Sequence, residues 1–364
     1  MTTKIRPFRG IKRLVIALSV CLLLPSFVFA QEGEKKFNAG DMIIEHVSDA
    51  HSWHIAGNYS IPLPIILYSK DRGLMIFSSA KLKNGAIYKG LEKDPLSQNG
   101  FKESGIHIAV AGPDGTVNKT ETDKIWDLSL TKNAVTVVLS GIALVLLFSA
   151  ASKGYKKRPN QAPKGIQSFM EPIILFVRDD IAIPSIGKAK YEKFMPYLLT
   201  LFFFIIFLNV LGLIPIFPGG ANVTGNIAIT TTLACITFII MMINSGKTYW
   251  VHTLWMPGVP AVVKLCILTP IEILGVILKP FTLLIRIFAN ILAGHIVALS
   301  FFSLIFIFGT LWGKSVGYGV SVFSVAFAGG MLLLDTLVAL IQAYVFTLLS
   351  AIYFGMVTAE DEHH

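Results

Sequence analysis

The sequence has few cysteines and few charges, and both scarcities narrow the possible classes of protein. Only three cysteines occur among 364 residues, Cys21, Cys235 and Cys266. Their spacing fits neither a disulfide framework nor a zinc site. Charged residues make up 15% of the chain, whereas hydrophobic residues make up 54%. This composition excludes a large soluble core and indicates a membrane protein with a modest soluble part.

The net positive charge does not indicate binding to nucleic acid. The formal net charge is +9, but the Lys and Arg residues cluster beside apolar runs. Basic residues in that position set the orientation of membrane helices. We therefore expect a protein of the lipid bilayer without a nucleic-acid partner.

The first 30 residues have the pattern of a secretory signal peptide. Basic residues precede the apolar run 14–30, which ends in Val28-Phe29-Ala30. A basic segment, an apolar segment and small residues near a junction are typical of such a signal, with cleavage after Ala30. The apolar run is 17 residues long. Because this is the lower limit for a membrane helix, a retained first span is the alternative.

Residues 31–125 are polar and predict a small exported domain rich in β-strands. Runs of β-forming residues lie at 61–68, 73–79 and 105–111, separated by turn signals such as Asn84-Gly85. A separate feature of this region is the close spacing of three histidines, which could suit a metal: His46, His51 and His54. Without cysteines or a firm carboxylate partner, surface or packing roles are favoured. We therefore predict no metal site and no cofactor.

From residue 126 onwards the chain predicts a membrane-embedded domain. Residues 133–150 form a first span, and the basic residues that follow mark its end as cytoplasmic. These basic residues are Lys153, Lys156, Lys157, Arg158 and Lys164. Mixed residues 166–186 predict an amphipathic helix at the cytoplasmic interface. Residues 196–217, which include Asn209, and 226–244 predict two spans joined by an exported turn at 219–225.

The last two apolar stretches, 266–308 and 315–359, are too long for upright spans, which need roughly 20 residues. Dividing the second at Gly329-Gly330 would leave a first piece that is too short, so a steeply tilted or bent helix is favoured. We expect an exported loop at 309–319 and a cytoplasmic C-terminus. The fold class is thus an all-α polytopic membrane protein with about five transmembrane helices and an interfacial helix.

One of these stretches contains an arginine where a membrane span should be uncharged. Between residues 281 and 313 only Arg286 and His295 are ionisable. A charge at the bilayer centre costs roughly 2.5–3.5 kcal/mol even on lenient scales, so such residues are typically functional. On an ideal helix Glu272 and Asn290 lie near the face of Arg286. His295, nine residues after Arg286, lies on the opposite face.

These residues suit a proton pathway with a fixed positive charge beside it. Histidine passes protons near neutral pH, and Asp335 is the one ionisable Asp, Glu, Lys, Arg or His of stretch 315–359. Gln342 shares its helix face. Arginine practically never deprotonates, so Arg286 suits a barrier or a counter-ion for a carboxylate. A self-contained buried ion pair between Arg286 and Asp335 is the alternative.

Two other classes of protein fit the residues less well. A secondary ion-coupled transporter with an Arg/Asp/His site at the bilayer midplane would normally show inverted repeats, and the sequence has no internal repeat. A nucleotide-binding enzyme is suggested only by residues 309–315, GTLWGKS, which are one residue short of a phosphate-binding loop. That segment also lies in the expected exported loop.

Three segments resemble subunit a of the bacterial F-type ATP synthase membrane sector. They are KPFTLLIRIFANILAGH at 279–295, QAYVF at 342–346 and LNVLGLIP at 208–215. The resemblance runs from about residue 124 to the C-terminus. It implies a stator subunit, without nucleotide catalysis of its own, in the bacterial inner membrane. The implied partners are a ring of c subunits and the b-subunit peripheral stalk.

The resemblance also implies roles for the ionisable residues. Arg286 matches the arginine that faces the ring carboxylates and separates two proton half-channels. His295 and Asp335 match the pair of the exported-side half-channel, in exchanged order relative to some family members. Glu272 matches an acid of the cytoplasmic-side half-channel.

Polar residues of the same segments complete the pathway that the resemblance implies. Asn290 and Gln342 match polar residues near the arginine, and Asn209 belongs to the third matching segment. Ala289 stands where the family usually has glycine, so helix packing there is expected to differ slightly. Residues 31–123 lie largely outside the resemblance.

Overall fold

The structure is a computed structural model that describes most of the chain, with gaps. The described residues are 38–56, 59–70, 73–85, 100–104, 107–111, 116, 118–157, 161–214, 219–254 and 263–358. The predicted signal peptide, residues 1–30, lies outside them, as do residues 359–364.

The described residues before position 128 form short strands and two short helices. These elements are α1 (Ala39–Val47), β1 (Ser52–Ala56), β2 (Tyr59–Pro62), β3 (Pro64–Ser69), β4 (Gly73–Ser78), β5 (Gly100–Ser104), β6 (His107–Ala111), α2 (Lys119–Thr122) and β7 (Ile125–Asp127). The strands pair in the orders β1–β2, β4–β3–β7 and β5–β6, all antiparallel. The turn expected at Asn84-Gly85 is instead the end of a 3₁₀ helix, Ser79–Gly85.

An apolar core holds these strands together. In β3, Ile65 and Leu67 are buried, whereas Pro64 and Tyr68 are exposed, because alternate side chains point to opposite faces of a sheet. The buried side chains of the core are Ile65, Leu67, Phe77, Leu82, Ile108 and Val110. Since Ile108 and Val110 belong to β6, this core joins the β3 sheet to the β5–β6 hairpin.

The rest of the described chain is mainly helical, with π-helices at Val177–Ala182 and Lys264–Leu268. Its elements are α3 (Lys132–Lys157), α4 (Ile166–Phe176), α5 (Ile183–Ile186), α6 (Tyr191–Leu213), α7 (Ile227–Ile243), α8 (Lys247–Leu254), α9 (Thr269–Trp312) and α10 (Lys314–Thr358). Among the described residues four helical segments are long and apolar enough to cross a membrane, and they correspond to α3, α6, α9 and α10. The prediction of a polytopic α-helical membrane protein is confirmed.

Helix α7 is shorter than the other apolar helices. Its 17 residues extend about 26 Å at 1.5 Å per residue, slightly less than the hydrocarbon core of roughly 30 Å. Asn226 caps its N-terminus by accepting a hydrogen bond from Ala228 N at 3.0 Å. The threonines near its start bond to backbone carbonyls of their own helix, as expected of hydroxyls in apolar surroundings.

The segment predicted as one interfacial helix at 166–186 is helical throughout, but the helix type changes in its middle. A π-helix, Val177–Ala182, separates α4 from α5. In it Arg178 donates to the neighbouring Asp179 carboxylate, with Nε 2.7 Å from Oδ1. This bond lowers the pKa of Asp179 and raises that of Arg178. Both side chains are exposed, and Val177 and Ile181 bury the other face.

Helices α9 and α10 contain 44 and 45 residues, so they extend about 66 and 68 Å. Helices of this length must incline or bend to lie within a hydrocarbon layer of roughly 30 Å. Helix α10 continues through Gly329 and Gly330 without interruption. The prediction that this stretch is one long helix rather than two spans therefore agrees with the structure.

The prediction of a loop at 309–319 is wrong. The two long helices are joined by Gly313 alone, whose positive φ of 89° favours glycine. Gly309 and Gly317 lie inside the helices and face each other, since a Cβ at Gly317 would come within 2.9 Å of the Gly309 Cα. The glycines that indicated a loop therefore permit close helix contact.

A continuous apolar core packs α10 against α6 and the π-helix. Phe194 stacks on Phe354 with ring centroids 4.7 Å apart. Gly355 lies so close to the Ser185 carbonyl that a Cβ would overlap it. At the end of α10, Lys190 Nζ donates to the Thr358 carbonyl at 2.7 Å, which satisfies a terminal carbonyl and opposes the negative end of the helix dipole.

Candidate intramembrane polar site

A buried acid of α10 lies directly against a glycine of α9. The side chain of Asp335 is buried, with 9% of its surface exposed. A Cβ at Gly294 would overlap the Asp335 carboxylate. Only glycine therefore lets the two helices approach with the acid between them. Gly294 was not predicted as a site residue, although a small residue beside an intramembrane polar group is a usable signal.

His295, the next residue of α9, lines a cavity together with Asp335. We call it the inner cavity, and its lining is Asn209, Gly212, Leu213, Ala221, Asn222, Thr224, Ile291, His295 and Asp335. The space open to water centres is about 10 Å³, close to what one water molecule requires. Five polar side chains therefore meet at this cavity. They come from α9 and α10, from the end of α6, and from the connection 219–225 between α6 and α7.

Hydrogen bonds order two of the polar side chains of the inner cavity. Thr224 Oγ1 donates to Asn209 Oδ1 at 2.8 Å, and Asn209 Nδ2 donates to the Ala339 carbonyl at 3.1 Å. Asn209 is therefore a structural link between α6, α10 and the connection as well as a lining residue. Its two bonds satisfy both ends of an amide that is 3% exposed.

Asn222 has hydrogen-bonding capacity to spare toward the cavity. Its Oδ1 accepts from Gly225 N at 3.1 Å, but its buried Nδ2 has no partner among the described residues. A buried amide N–H needs a polar partner, and a water molecule in the inner cavity would supply one. Asn222 and Thr224 were not predicted as site residues, since the sequence indicated only an exported turn.

A second cavity opens on the surface between α9 and α10. We call it the outer groove. Its volume is about 310 Å³, and its lining is Asn290, Ala293, Gly294, Val297, Met331, Leu334, Asp335, Val338, Ile341 and Gln342. Gln342 is buried, and its Oε1 has no hydrogen-bond partner in the described chain. Asp335 lines both cavities, so the acid stands between an internal polar cavity and the outer surface of the hairpin.

Arg286 lies outside both cavities. Its side chain is exposed, and the described residues give it neither an ion-pair nor a hydrogen-bond partner. The buried pair between Arg286 and Asp335, considered above as an alternative, does not form. His295 is directed into the bundle while Arg286 is exposed, as their separation by nine helical positions leads one to expect.

Glu272 is half-buried near the start of α9 and lines neither cavity. The structure thus groups Asn209, His295 and Asp335 around one cavity and Asn290, Gln342 and Asp335 around the other, and leaves Glu272 and Arg286 apart. Between the latter two on α9, Lys279 Nζ lies 3.2 Å from the Tyr249 hydroxyl.

The described residues contain no group of three or more potential metal ligands. His51 is buried, whereas the side chains of His46 and His54 lie outside the described part. Ionisable groups inside a helical membrane domain mark ion pathways. An acid shared between two cavities, one of which is also lined by an imidazole, is the arrangement expected of a polytopic membrane protein that conducts ions.

Comparison with known proteins gives the family. The chain belongs to the ATP synthase A chain family, whose model matches residues 134–355. Members are membrane-sector subunits of the synthase and not its catalytic subunits. A second model, described as a domain of unknown function, matches residues 42–128. The boundary between the two matches falls just before α3.

Curated relatives support this membership. The chain is 44% identical over 254 residues to ATP synthase subunit a 2 of Chlorobaculum tepidum, covering 66% of each protein. It is 41% identical over 241 residues to ATP synthase subunit a of Chloroherpeton thalassium, covering 65% of this chain and 69% of the relative. With the Myxococcus xanthus subunit the identity is 40% over 248 residues, covering 66% and 77%. The chain thus spans about two thirds of the C. tepidum relative.

Proposed function

We propose that this chain is the stator subunit through which protons cross the membrane sector of an F-type ATP synthase, and that it couples their passage to rotation of a c-subunit ring. The observation that carries the proposal is the position of Asp335, which lines both the inner cavity and the outer groove. A proton that reaches this acid from inside the bundle is one step from the surface that a ring would cover.

The exported-side half-channel runs through the inner cavity. Asn209, Asn222 and Thr224 supply polar groups that order water. His295 supplies an imidazole, the side chain suited to proton transfer. Asp335 then passes the proton toward the outer groove, where Asn290 and Gln342 offer further hydrogen-bonding groups. A ring carboxylate receives it there. Once protonated, that carboxylate can turn into lipid, because burying a neutral acid costs far less than burying an anion.

Arg286 prevents protons from passing between the two sides without rotation. An arginine guanidinium provides a fixed positive charge. Arg286 is exposed and has no ion-pair partner in the described chain, so it is available to a carboxylate on another subunit. A positive charge beside such a carboxylate favours its ionised form, which drives proton release toward the cytoplasmic half-channel. Glu272, fourteen residues earlier on α9 and so about 21 Å away along the helix, serves that second half-channel.

The orientation follows from the distribution of charge. Lys153, Lys156 and Lys157 at the end of α3 mark the cytoplasmic side of the bacterial inner membrane. The β-rich domain before α3 is then exported and the C-terminus is cytoplasmic, with α7 as a fifth span. The outer groove and Arg286 face the c ring, and the b-subunit stalk holds the chain in place.

The test is the variant Arg286→Ala, assayed for ATP-driven proton pumping in inverted membrane vesicles. Pumping should be abolished while the complex still assembles, because neither cavity loses a lining residue. Lys279→Ala is a matched control that also removes a cation from α9 without touching the exposed Arg286. Normal pumping by Arg286→Ala in an assembled complex would refute the proposal.

A further inference from the structure

A tryptophan of the N-terminal domain reaches across 166 residues to the membrane domain. Trp53 is 3% exposed, and its indole Nε1 donates to the Gly219 carbonyl at 2.8 Å. Gly219 opens the connection 219–225 between α6 and α7, which contributes Asn222 and Thr224 to the inner cavity. One residue of the domain of unknown function therefore bonds directly to the segment that forms one wall of the polar site.

Side chains of the connection contact both the tryptophan and the cavity, and Ala221 contacts both. Ala221 and Val223 pack with Trp53 in a buried cluster that also contains Leu208. Asn222 and Thr224, which alternate with them in sequence, line the inner cavity. Val223 is buried with the indole and does not line the cavity, so its packing holds the backbone from which its neighbours Asn222 and Thr224 project.

Among the described residues, the start of this connection is held by the bond from Trp53 and by one backbone bond. Gly220 N donates to the Leu211 carbonyl at 3.0 Å, and a Cβ at Gly219 would overlap the carbonyl of Ile214. The start of the connection is therefore pressed against the end of α6, and the Gly219 carbonyl is held by the indole. Loss of the indole N–H would leave this buried carbonyl with an unmet hydrogen bond.

The residues just before Trp53 are hydrogen-bonded to the start of α3. Lys132 N donates to the Ala50 carbonyl at 2.9 Å, and Asn133 N donates to Asp49 Oδ1 at 3.1 Å. Helix α1, just before this segment, packs against α9. The segment that leads into β1 is thus fixed to two membrane helices, so Trp53 has a rigid base.

We propose that Trp53 is a positioning residue for the exported-side proton entrance, and that the N-terminal domain serves to hold the Asn222–Thr224 wall of the inner cavity in place. This inference rests on the proposed function of that cavity. It gives a role within the proton pathway to a domain that lies outside the family match of residues 134–355. Trp53 does not itself carry the proton.

The experiment measures ATP synthesis by inverted vesicles, whose lumen corresponds to the exported side. The lumen pH is varied at a constant potassium–valinomycin potential, and each rate is divided by the amount of assembled complex. Trp53→Phe keeps an aromatic ring but loses the N–H donor. We expect the half-saturating lumen proton concentration to rise about two- to tenfold, the factor for one net hydrogen bond, with an unchanged maximal rate. Trp126→Phe, at an indole that is 71% exposed, should match the wild type.

A tryptophan with a merely structural role would give a different result. An unchanged half-saturating concentration, or a lower maximal rate alone, would overturn the inference. If Trp53→Phe does not assemble, replacement of Trp53 by benzothienylalanine, which fills nearly the same volume without an N–H, decides between these outcomes by the same measurement.

His295→Ala in the same assay separates this inference from the proposed function. Wild-type synthesis by His295→Ala would refute the exported-side pathway itself. Loss of synthesis by His295→Ala together with wild-type half-saturation by Trp53→Phe and by the benzothienylalanine variant would refute only the role of Trp53.

Discussion

The contact between Gly294 and Asp335 gives the sharpest prediction about the site. In Gly294→Ala the new methyl group would occupy the position of the Asp335 carboxylate. Either the acid leaves its place between the two cavities or α9 and α10 separate. Overpacking of this kind costs about 1–3 kcal/mol, and one tenfold change in an equilibrium corresponds to about 1.4 kcal/mol. The population with Asp335 in its native position should therefore fall by about five- to 150-fold.

The assay is ATP-driven proton pumping in inverted vesicles, with the assembled complex quantified in the same preparation. Gly275→Ala is the matched control on the same helix, because nothing lies within 4 Å of a Cβ at that position. Removing a helix-interior glycine there should be neutral or slightly stabilising. Gly294→Ala should lose most of its pumping, whereas Gly275→Ala should retain it. Equal pumping by the two variants would refute the reasoning.

Combining Gly294→Ala with Asp335→Ala tests whether a clash with the carboxylate causes the effect of the first substitution. If the clash is with the carboxylate, Gly294→Ala should lower the thermal dissociation temperature of the purified complex less when Asp335 is already alanine. The two substitutions are in contact, so their effects should not add. Additive shifts would show that the methyl group disturbs something other than Asp335.

Three further predictions concern the proton pair, the helix hairpin and the interfacial segment. Exchanging His295 and Asp335 should retain more pumping than replacing either with alanine, since both chemical groups remain in the inner cavity; an exchanged protein worse than both alanine variants would contradict a paired relay. Gly317→Ala should lower the dissociation temperature, because its Cβ meets the Gly309 backbone, while Gly319→Ala, with open space around it, should not; the reverse order would contradict the close contact. Because hydrogen bonding by Arg178 lowers the pKa of Asp179, the stability that this bond contributes is present at neutral pH and is lost as the pH falls through that lowered pKa; Asp179→Asn should therefore slightly flatten the acid limb of a plot of dissociation temperature against pH.

The membrane helices were predictable because their signals are local. Apolar runs and the basic residues after them indicated α3, α6 and the two long helices close to their observed positions. The periodicity of a helix was enough to expect His295 and Arg286 on opposite faces. Each of these inferences depends on residues within a few turns of one another.

Contacts between distant segments were not predictable in this way. Glycine is typical of both loops and close helix contacts, so Gly309 and Gly317 were misread as a loop. The roles of Gly294 and Asn222 depend on how α10 and the 219–225 connection pack against α9. The bond from Trp53 to Gly219 was likewise not predictable, because no residue pattern in either segment indicates a contact with the other.

The single-residue joint at Gly313 has a mechanical consequence. Two helices of about 66 and 68 Å share a connection that has no slack, and the far end of α10 is tied to Lys190 by a 2.7 Å bond. The pair of helices α9 and α10 is therefore held at both ends, so that a lateral force on one helix is shared by the other. The proposed role beside a rotating ring would require such stiffness along the whole length of the contact.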